Sequence, residues 1–291
     1  MKKFKTQKLT ENIIHGVFLL LGLVTVLCVL LITVYLVVAG LPAIREIGLI
    51  KFLFGNTWRS SGSDPQFGIL PFILTSIYGT AAAIVLGVLI GFFPAGYLSK
   101  PARPNLREPI ESAVSLLAGI PSVVYGLVGM LVLVPSIRKL FNVADGASLL
   151  AAIIVLAVMI LPSVIKVSMS ALRAVPKEYE DASLALGATP EETYFRVSVP
   201  AAKSGIAAAV VLGVGRAIGE AMAVMMVSGN VANMPSLFES VRFLTTAVAS
   251  EMSYAAEGLA RQALFSIALV LFLFIMLINA VLNFFLKRQK K

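Results

Sequence analysis

The chain has 291 residues, of which 58% are hydrophobic and only 13% are charged, and its formal net charge is +9. Soluble domains carry about 25% charged and about 45–50% apolar residues, so this composition excludes an ordinary soluble protein and predicts one whose solvent is the membrane. The single cysteine, Cys28, excludes an internal disulfide and a cysteine metal cluster.

Six apolar stretches are each long enough to cross a bilayer, for which about 20 residues suffice. In chain order they cover residues 13–38, 69–98, 110–134, 147–172, 205–228 and 262–286. The first is too long for the core of a signal peptide and has no obvious small-residue cleavage site, so we interpret it as an uncleaved anchor. We predict an all-α integral membrane protein: residues 1–68 form the N-terminal tail, first helix and outer loop, 69–286 the transmembrane domain, and 287–291 a basic cytoplasmic tail.

The distribution of lysine and arginine predicts the orientation of the six spans, because cytoplasmic loops carry the excess of these residues. With both termini inside, the cytoplasmic segments hold Lys2, Lys3, Lys5, Lys8, Lys100, Arg103, Arg107, Lys166, Arg173, Lys177, Arg196, Lys203, Lys287, Arg288, Lys290 and Lys291. The outer segments hold fewer, namely Arg45, Lys51, Arg59, Arg138, Lys139, Arg242 and Arg261. The asymmetry predicts cytoplasmic N and C termini, and it explains the positive net charge without a nucleic-acid partner.

The third stretch carries Gly119 and Pro121 within the run SLLAGIPSVVYGLVG, with Ser122 and Tyr125 close by. Glycine and proline bend or break a helix, and in a membrane this is tolerated only where protein or water meets the freed backbone groups. The N-terminus of a half-helix at this place would favour an anion. A simple proline kink is the alternative, and the sequence does not decide between the two.

The loop at residues 173–204 reads as a short helix, a glycine turn and a second short helix. Pro176 suits the first turn of the first helix, and Gly187 is a plausible C-terminal stop. Thr189 and Glu192 have the spacing of a capping box, and Pro200 is expected to end the second helix. A compact helical element between two spans suits a docking partner, although an ordinary amphipathic connector would look the same.

Two charged residues, Arg216 and Glu220, lie in the middle of the fifth stretch, in GVGRAIGEAMAV. A charge at the centre of a bilayer costs about 2.5–3.5 kcal/mol on insertion scales, so both need a reason to be there. Their spacing of four places them on one helix face, where a structural ion pair is one interpretation. The other is an anion-handling site, because the planar donors of arginine match phosphate oxygens and Glu220 would hold Arg216 in place without an anion.

The loop resembles the coupling loop of ABC importer permeases, which places Glu-Ala-Ala, Gly, an aliphatic residue and Pro at fixed spacings. The matching positions are Asp181, Ala182, Ser183, Gly187, Val197, Val199 and Pro200. Two of them depart from the pattern, since Asp181 replaces Glu and Ser183 replaces the second Ala. The resemblance implies that the segment from Asp181 through Leu186 to Gly187 seats in an ATPase subunit.

This chain has no G-x-x-x-x-G-K-[ST] phosphate loop, so ATP and Mg²⁺ would bind the ATPase subunit. No cofactor and no metal site are expected on this chain.

Three runs narrow the resemblance: LAGIPSVVYGLVG, GRAIGEAMAV and WRSSGSDPQFGILPFILTSIYGT. Together they are similar to the PstC-type permeases of phosphate ABC importers, over about residue 55 to the C-terminus. The outer run with Trp58, Asp64 and Gly68 favours the PstC type over the PstA type. The family implies a type I importer fold, a heterodimer with a PstA-type permease, two PstB-type ATPases and an extracytoplasmic phosphate-binding protein. It also implicates the positions of Arg216 and Glu220 in passing phosphate.

The resemblance therefore implies a multi-pass subunit of a bacterial or archaeal cytoplasmic membrane that moves inorganic phosphate by alternating access, with Gly119, Pro121, Ser122 and Tyr125 as further candidates for the pathway. A permease for sulfate, molybdate or a phosphonate would share the coupling loop. A membrane-embedded enzyme would need a metal cluster or a nucleophile with a positioned base, and the sequence shows neither. A passive channel would have no use for a coupling loop.

Overall fold

The computed structural model describes residues 2–62, 64–99 and 104–289, with the side chains of 2–10, 12, 104 and 285–289 excluded. Of the basic residues that predict the orientation, Lys100, Arg103, Lys290 and Lys291 lie outside the described residues, and so does the end of the predicted basic tail. The side chains of the other tail lysines and of Arg288 are likewise not described. The orientation in the membrane stays a prediction.

The described residues are mostly helical. The α-helices are α1 (Lys2–Ile47), α2 (Leu49–Phe54), α3 (Leu70–Ser99), α4 (Pro104–Gly119), α5 (Ser122–Val128), α6 (Val134–Phe141), α7 (Leu149–Arg173), α8 (Lys177–Ala185), α9 (Pro190–Thr193), α10 (Val199–Ala201), α11 (Lys203–Ile218), α12 (Met222–Val227), α13 (Leu244–Glu251) and α14 (Leu259–Gln289). Two π-helical turns, Gly129–Leu133 and Tyr194–Ser198, connect α5 to α6 and α9 to α10. A two-stranded antiparallel hairpin, β1 (Trp58–Arg59) and β2 (Gln66–Phe67), precedes α3.

Among the described residues, five segments are long and apolar enough to cross a membrane: Ile13–Ile47, Leu70–Ser99, Ser122–Phe141, Leu149–Arg173 and Leu259–Phe284. A sixth is present if the bent pair Pro190–Ala201 and Lys203–Ile218 is counted as one span. The first helix runs well beyond the expected end at residue 38. It continues because Ala43 is fully buried and because Ser266 of α14 donates a hydrogen bond to the carbonyl of Gly40 over 2.6 Å.

The expected third span at 110–134 is wrong in both bounds. The helix breaks after Gly119, Pro121 caps α5, and the span runs over Ser122–Phe141. The break follows from proline, which disfavours helical geometry in the residue before it. The far end extends past 134 because Pro135 falls in the first turn of α6, where its missing N–H costs nothing.

The expected fifth span at 205–228 is also not one helix. α11 ends at Ile218, and the short α12 begins only at Met222. The chain is fixed in this break because the hydroxyl of Thr245 in α13 donates to the carbonyl of Glu220 over 2.8 Å. The Glu220 carboxylate in turn accepts from the amide of Ala223 over 2.9 Å and so caps α12.

The core forms where α3, α7 and α11 pack together. Glycines let α3 approach α7 closely, since a Cβ on Gly87 would lie 2.6 Å from Ile160 and one on Gly91 would lie 3.0 Å from Val164. Gly126 of α5 has the same role against α12, where a Cβ would lie 2.8 Å from the Cα of Ala223. Small residues at such crossings are typical of helices packed in lipid. They position the broken helices α5 and α11–α12 against α7.

The outer run that resembles PstC-type permeases begins with the β1–β2 hairpin. This hairpin packs against α3 and against Glu251 of α13. Trp58 is buried against Phe67 and Phe72, and its indole N–H donates to the carboxylate of Glu251, 193 residues away. Glu251 also forms an ion pair with Arg242. Gly68 lies directly against the backbone of Gly55, whereas Asp64 is exposed and accepts a hydrogen bond from Gln66 over 3.3 Å.

Candidate functional site

The first candidate region is α8, called the coupling helix below, and the turn that follows it. The coupling helix begins at Lys177, with Pro176 one position earlier than expected, as the cap. Gly187 adopts φ +86°, a left-handed conformation that glycine reaches without strain. Thr189 and Glu192 form the reciprocal hydrogen bonds of a capping box at the start of α9. The helix, glycine turn and second helix lie in the expected order.

The predicted docking residues lie mostly on the surface of this element. Asp181, Ala182 and Gly187 are exposed, and the side chain of Leu186 is 90% exposed. Tyr179, Leu184 and Phe195 add further exposed apolar surface on the same element. Apolar side chains on a tip of this kind are typical of a surface that a protein partner covers.

Ser183 faces inward and ties the coupling helix to the helical segment at residues 190–201, called the return segment below. Its hydroxyl lies 2.9 Å from that of Thr193, and Ser198 donates to the Glu180 carboxylate over 2.5 Å. The coupling helix and the return segment are therefore joined at two places. They form one small rigid element.

The remaining coupling candidates, Val197, Val199 and Pro200, lie in the return segment. Val197 and Val199 are half-buried, and Pro200 is exposed. The expectation that Pro200 ends this helix is wrong. Pro200 lies in the first turn of α10 and is tolerated there, and the change of direction comes at Ala202, between α10 and α11.

The second candidate region surrounds Arg216 near the end of α11. Arg216 is half-buried, and its Nη1 donates to the hydroxyl of Ser163 on α7 over 3.4 Å. The guanidinium is also near enough to Tyr125 on α5 to act electrostatically on its phenol. Arg216 therefore lies between the apolar helices α11 and α7, hydrogen-bonded to the hydroxyl of Ser163, with Tyr125 of α5 within the range of its charge.

The expected pairing of Arg216 with Glu220 is wrong. The ion pairs among the described residues do not include Arg216, and the Glu220 carboxylate instead caps α12. The four-residue spacing brings side chains together only within a continuous helix, and here the helix ends at Ile218. Among the described residues, the positive charge of Arg216 is left without a carboxylate partner.

The third-span candidates lie together at the break between α4 and α5. Gly119 ends α4, Pro121 is the cap, and Ser122 is the first residue of α5. The Tyr125 hydroxyl donates to the carbonyl of Leu117 over 2.7 Å and so satisfies one of the groups that the break frees. Tyr125 thus connects the break to the surroundings of Arg216, whereas no described hydrogen bond joins Ser122 to Arg216.

Two residues of this region were not among the predicted site residues. Ser163 follows Pro162 in the fourth apolar stretch, and the proline was the available signal for a polar contact there. Thr245 carries no comparable signal, because it reaches Glu220 from a separate helix 25 positions along the chain.

In the described part of the chain, no three acidic, histidine or cysteine side chains converge as metal ligands do.

A protein-family model described as the binding-protein-dependent transport system inner membrane component matches residues 83–291. The chain belongs to this family. It is 40% identical to a probable ABC transporter permease, YqgH of Bacillus subtilis, over 85% of this chain and 83% of that protein. It is 31% identical to the phosphate transport system permease PstC of Pasteurella multocida over 83% and 81%, and 32% identical to PstC 2 of Mycobacterium tuberculosis over 89% and 86%.

Solved structures show that the fold is that of a type I ABC importer permease. A chain of the inward-facing MetNI methionine ABC transporter superposes with a TM-score of 0.60 at 20% identity, over 77% of this chain and 96% of the other. A chain of a bacterial alginate ABC transporter gives 0.60 at 14% identity, over 97% and 96%. This family member is therefore a multi-pass membrane protein and the permease subunit of an ABC transporter.

Proposed function

We propose that this chain passes inorganic phosphate across the bacterial or archaeal cytoplasmic membrane as the permease subunit of an ATP-driven importer. The observation that carries the proposal is the side chain of Arg216. It is a half-buried cation inside an apolar segment, it lies beside the hydroxyl of Ser163, and no carboxylate neutralises it among the described residues. The phosphate transport named for the PstC relatives supports this choice of cargo.

An uncompensated arginine suits a multiply charged anion that must enter and leave. The guanidinium presents several N–H donors in a fork that matches phosphate oxygens, and the hydroxyl of Ser163 supplies a neutral donor beside it. Because Glu220 is engaged with the amide of Ala223, it does not compete for the guanidinium. We assign to this pathway the helix break formed by Gly119, Pro121 and Ser122, because a break exposes polar backbone groups inside the membrane.

The energy would come from partner subunits that bind ATP and Mg²⁺. We assign the docking to Asp181, Ala182, Leu186 and Gly187, supported by their exposure, and to Ser183, which holds this surface in place through Thr193. We assign Val197, Val199 and Pro200 of the return segment to the same coupling element. The complete importer would contain a PstA-type permease, two PstB-type ATPases and an extracytoplasmic phosphate-binding protein, with both termini of this chain in the cytoplasm.

The working cycle would be alternating access. A loaded binding protein docks on the outer side, closure of the ATPase pair on ATP moves the coupling helix, and the spans open outward so that phosphate reaches Arg216. Hydrolysis of ATP restores the inward-facing state. This chain would provide the phosphate pathway and the coupling helix, and the ATPase subunits would provide the energy of ATP hydrolysis.

The test is uptake of labelled phosphate into vesicles that contain the complete importer. We expect uptake to require ATP, and Arg216→Ala to abolish it while the complex still assembles, because the anion loses its cation in the apolar interior. Arg138→Ala, which removes an exposed arginine at the end of α6, is the matched control and should transport normally. Normal phosphate uptake by an assembled Arg216→Ala complex would contradict the proposal.

The cargo is decided by competition in the same vesicles. If sulfate, molybdate or a phosphonate is taken up in place of phosphate, the importer serves another oxyanion and the assignment of phosphate fails. Flux that persists without ATP would indicate a passive channel instead.

A further inference from the structure

The chain on either side of the coupling helix is held against the same turn of α3. This turn, residues 96–99, is called the α3 end below. The first anchor comes from Arg173, the last residue of α7 and the base from which the coupling helix departs. The second comes from Tyr194, in the return segment.

Arg173 joins three elements through one guanidinium. Its Nη2 donates to the carbonyl of Leu98 in the α3 end over 2.7 Å and to the carboxylate of Glu111 in α4 over 2.5 Å. A helix leaves its last carbonyls without internal partners. A cation at that position therefore donates a hydrogen bond to a free carbonyl and also interacts favourably with the helix dipole. The base of the coupling helix is thereby attached to both α3 and α4.

Glu111 is held for this contact from a second side. Arg107, one turn earlier on α4, donates its Nε to the same carboxylate oxygen over 2.9 Å. The hydrogen bonds from Arg173 and Arg107 hold the pKa of the Glu111 carboxyl below its usual range, so that it stays charged. An isolated surface ion pair contributes little to stability, but this one fixes the relative position of three helices.

Tyr194 provides the second contact, by close packing against the α3 end. Its hydroxyl lies so close to the backbone of Gly96 that a Cβ on Gly96 would collide with it. Because Ser198 and Thr193 of the return segment are bonded to Glu180 and Ser183 of the coupling helix, a displacement of the coupling helix carries Tyr194 with it. The α3 end is therefore contacted by Arg173 before the coupling helix and by Tyr194 after it.

We propose that Arg173 and Glu111 are positioning residues that fasten the base of the coupling helix to the α3 end and to α4, so that movement of the coupling helix displaces α3 and α4 together. This inference rests on the proposed function, since it assigns the path by which work from the ATPase enters the spans. Helices α7 and α11 are already connected to the coupling helix through the chain. The junction at Arg173 would make α3 and α4 move with it as well.

The test measures phosphate taken up per ATP hydrolysed by the complete importer in vesicles. We expect Arg173→Ala and Glu111→Gln each to lower this ratio about two- to thirtyfold, the range found for residues that carry coupling between sites. ATP hydrolysis itself should persist. The double variant should be no worse than Arg173→Ala alone, because both changes break the same link.

Glu108→Gln is the matched control, since Glu108 is an exposed carboxylate on the same helix and only three residues away. It should leave the ratio unchanged. If Arg173→Ala lowered uptake and ATP hydrolysis in the same proportion, the residue would serve assembly alone and the proposal would be overturned. An unchanged ratio in Glu111→Gln would overturn it as well.

A distance measurement separates this inference from the proposed function. Spin labels at Tyr97→Cys in α3 and Glu178→Cys in the coupling helix, both exposed positions, are introduced with Cys28→Ser in the full chain. We expect one narrow distance distribution, and a broader one after Arg173→Ala. If the native importer takes up no phosphate, the proposed cargo fails while this measurement still decides the junction; an equally narrow distribution in Arg173→Ala would refute it.

Discussion

At the scale of single residues, the position of Glu220 is set by hydrogen bonds rather than by charge. Its carbonyl accepts from Thr245, and its carboxylate accepts from the amide of Ala223. Both bonds lie at the break between α11 and α12, which leaves Arg216 without its expected partner. The charge available to an anion in this region therefore depends on a threonine in a different helix.

We expect Thr245→Val to weaken this arrangement. Valine keeps the shape of threonine but lacks the hydroxyl donor, so the Glu220 carbonyl loses its partner, at a cost of about 1–3 kcal/mol for a buried unsatisfied group. The prediction is a lower thermal unfolding temperature of the purified protein and slower phosphate uptake by the complete importer. Thr25→Val is the control, because Thr25 is exposed on α1 and its hydroxyl bonds only within its own helix. Equal thermal stability of the Thr245 variant and the native protein would show that the bond does not hold the break.

The sequence predicts the site only as far as its interactions are local. The capping box of Thr189 and Glu192 and the turn at Gly187 depend on neighbours within a few residues, and both are present where expected. The pairing of Arg216 with Glu220 was expected from a continuous helix. It fails because Thr245, 25 positions further along the chain than Glu220, bonds to the carbonyl of Glu220 and stabilises the break. The link between Trp58 and Glu251 spans 193 positions, so no local pattern could have predicted it.

At the scale of elements, the coupling helix depends on a turn that few residues can form. Gly187 has φ +86° and is exposed, with no atom within 4 Å of the place where a Cβ would stand. A substitution here therefore tests backbone strain alone, without a steric clash.

We expect Gly187→Ala to destabilise the turn by about 1–2 kcal/mol, the cost of a left-handed conformation for a residue with a Cβ. The measurement is hydrogen exchange of amides in the coupling helix and α9, which should become faster. Gly187→Asn is the matched variant, since asparagine tolerates this conformation, and it should exchange close to the native rate. Faster exchange in the asparagine variant to the same degree would mean that strain is not the cause.

The fold as a whole follows from hydropathy, but the exact spans do not. Helices α3, α7 and α14 lie close to the apolar stretches that predict them. The third and fifth stretches are interrupted, at Pro121 and at Gly219 to Ala221, because apolar composition measures solubility in lipid and says little about where a helix must open. The proline was a visible signal for the first interruption. The second depends on the tertiary contact with α13.

At the scale of the whole molecule, the junction of α3, α4 and α7 gives a pH dependence with a definite sign. The pKa of Glu111 is lowered in the folded protein, first by the hydrogen bond from Arg173 and then by that from Arg107. The stabilisation is therefore complete above the usual glutamate pKa of about 4.3 and is lost as the pH falls through the lower folded value.

We expect the distance distribution between labels at Glu108→Cys in α4 and Glu178→Cys in the coupling helix, both exposed positions, to stay narrow from neutral pH down to about pH 5, and to broaden only below about pH 4. Glu111→Gln has no charge to lose, so its distribution should already be broad at neutral pH and should change little on acidification. Broadening of the native protein between pH 7 and pH 6 would contradict the assignment to Glu111.

The 68° bend at Ala202 has a mechanical consequence for the anion site proposed at Arg216. A thrust along the return segment arrives at α11 mostly sideways, so it tilts α11 by moving the Lys203 end relative to the Arg216 end. Arg216 lies thirteen residues beyond Lys203, and a tilt of about 5° therefore swings its backbone by about 2 Å at about 1.5 Å of rise per residue. That swing is comparable to the helix shifts by which proteins switch states, and it suffices to detach the guanidinium from Ser163. If Arg216 binds the anion as proposed, a displacement of the coupling helix would be enough to open or close that contact from a distance.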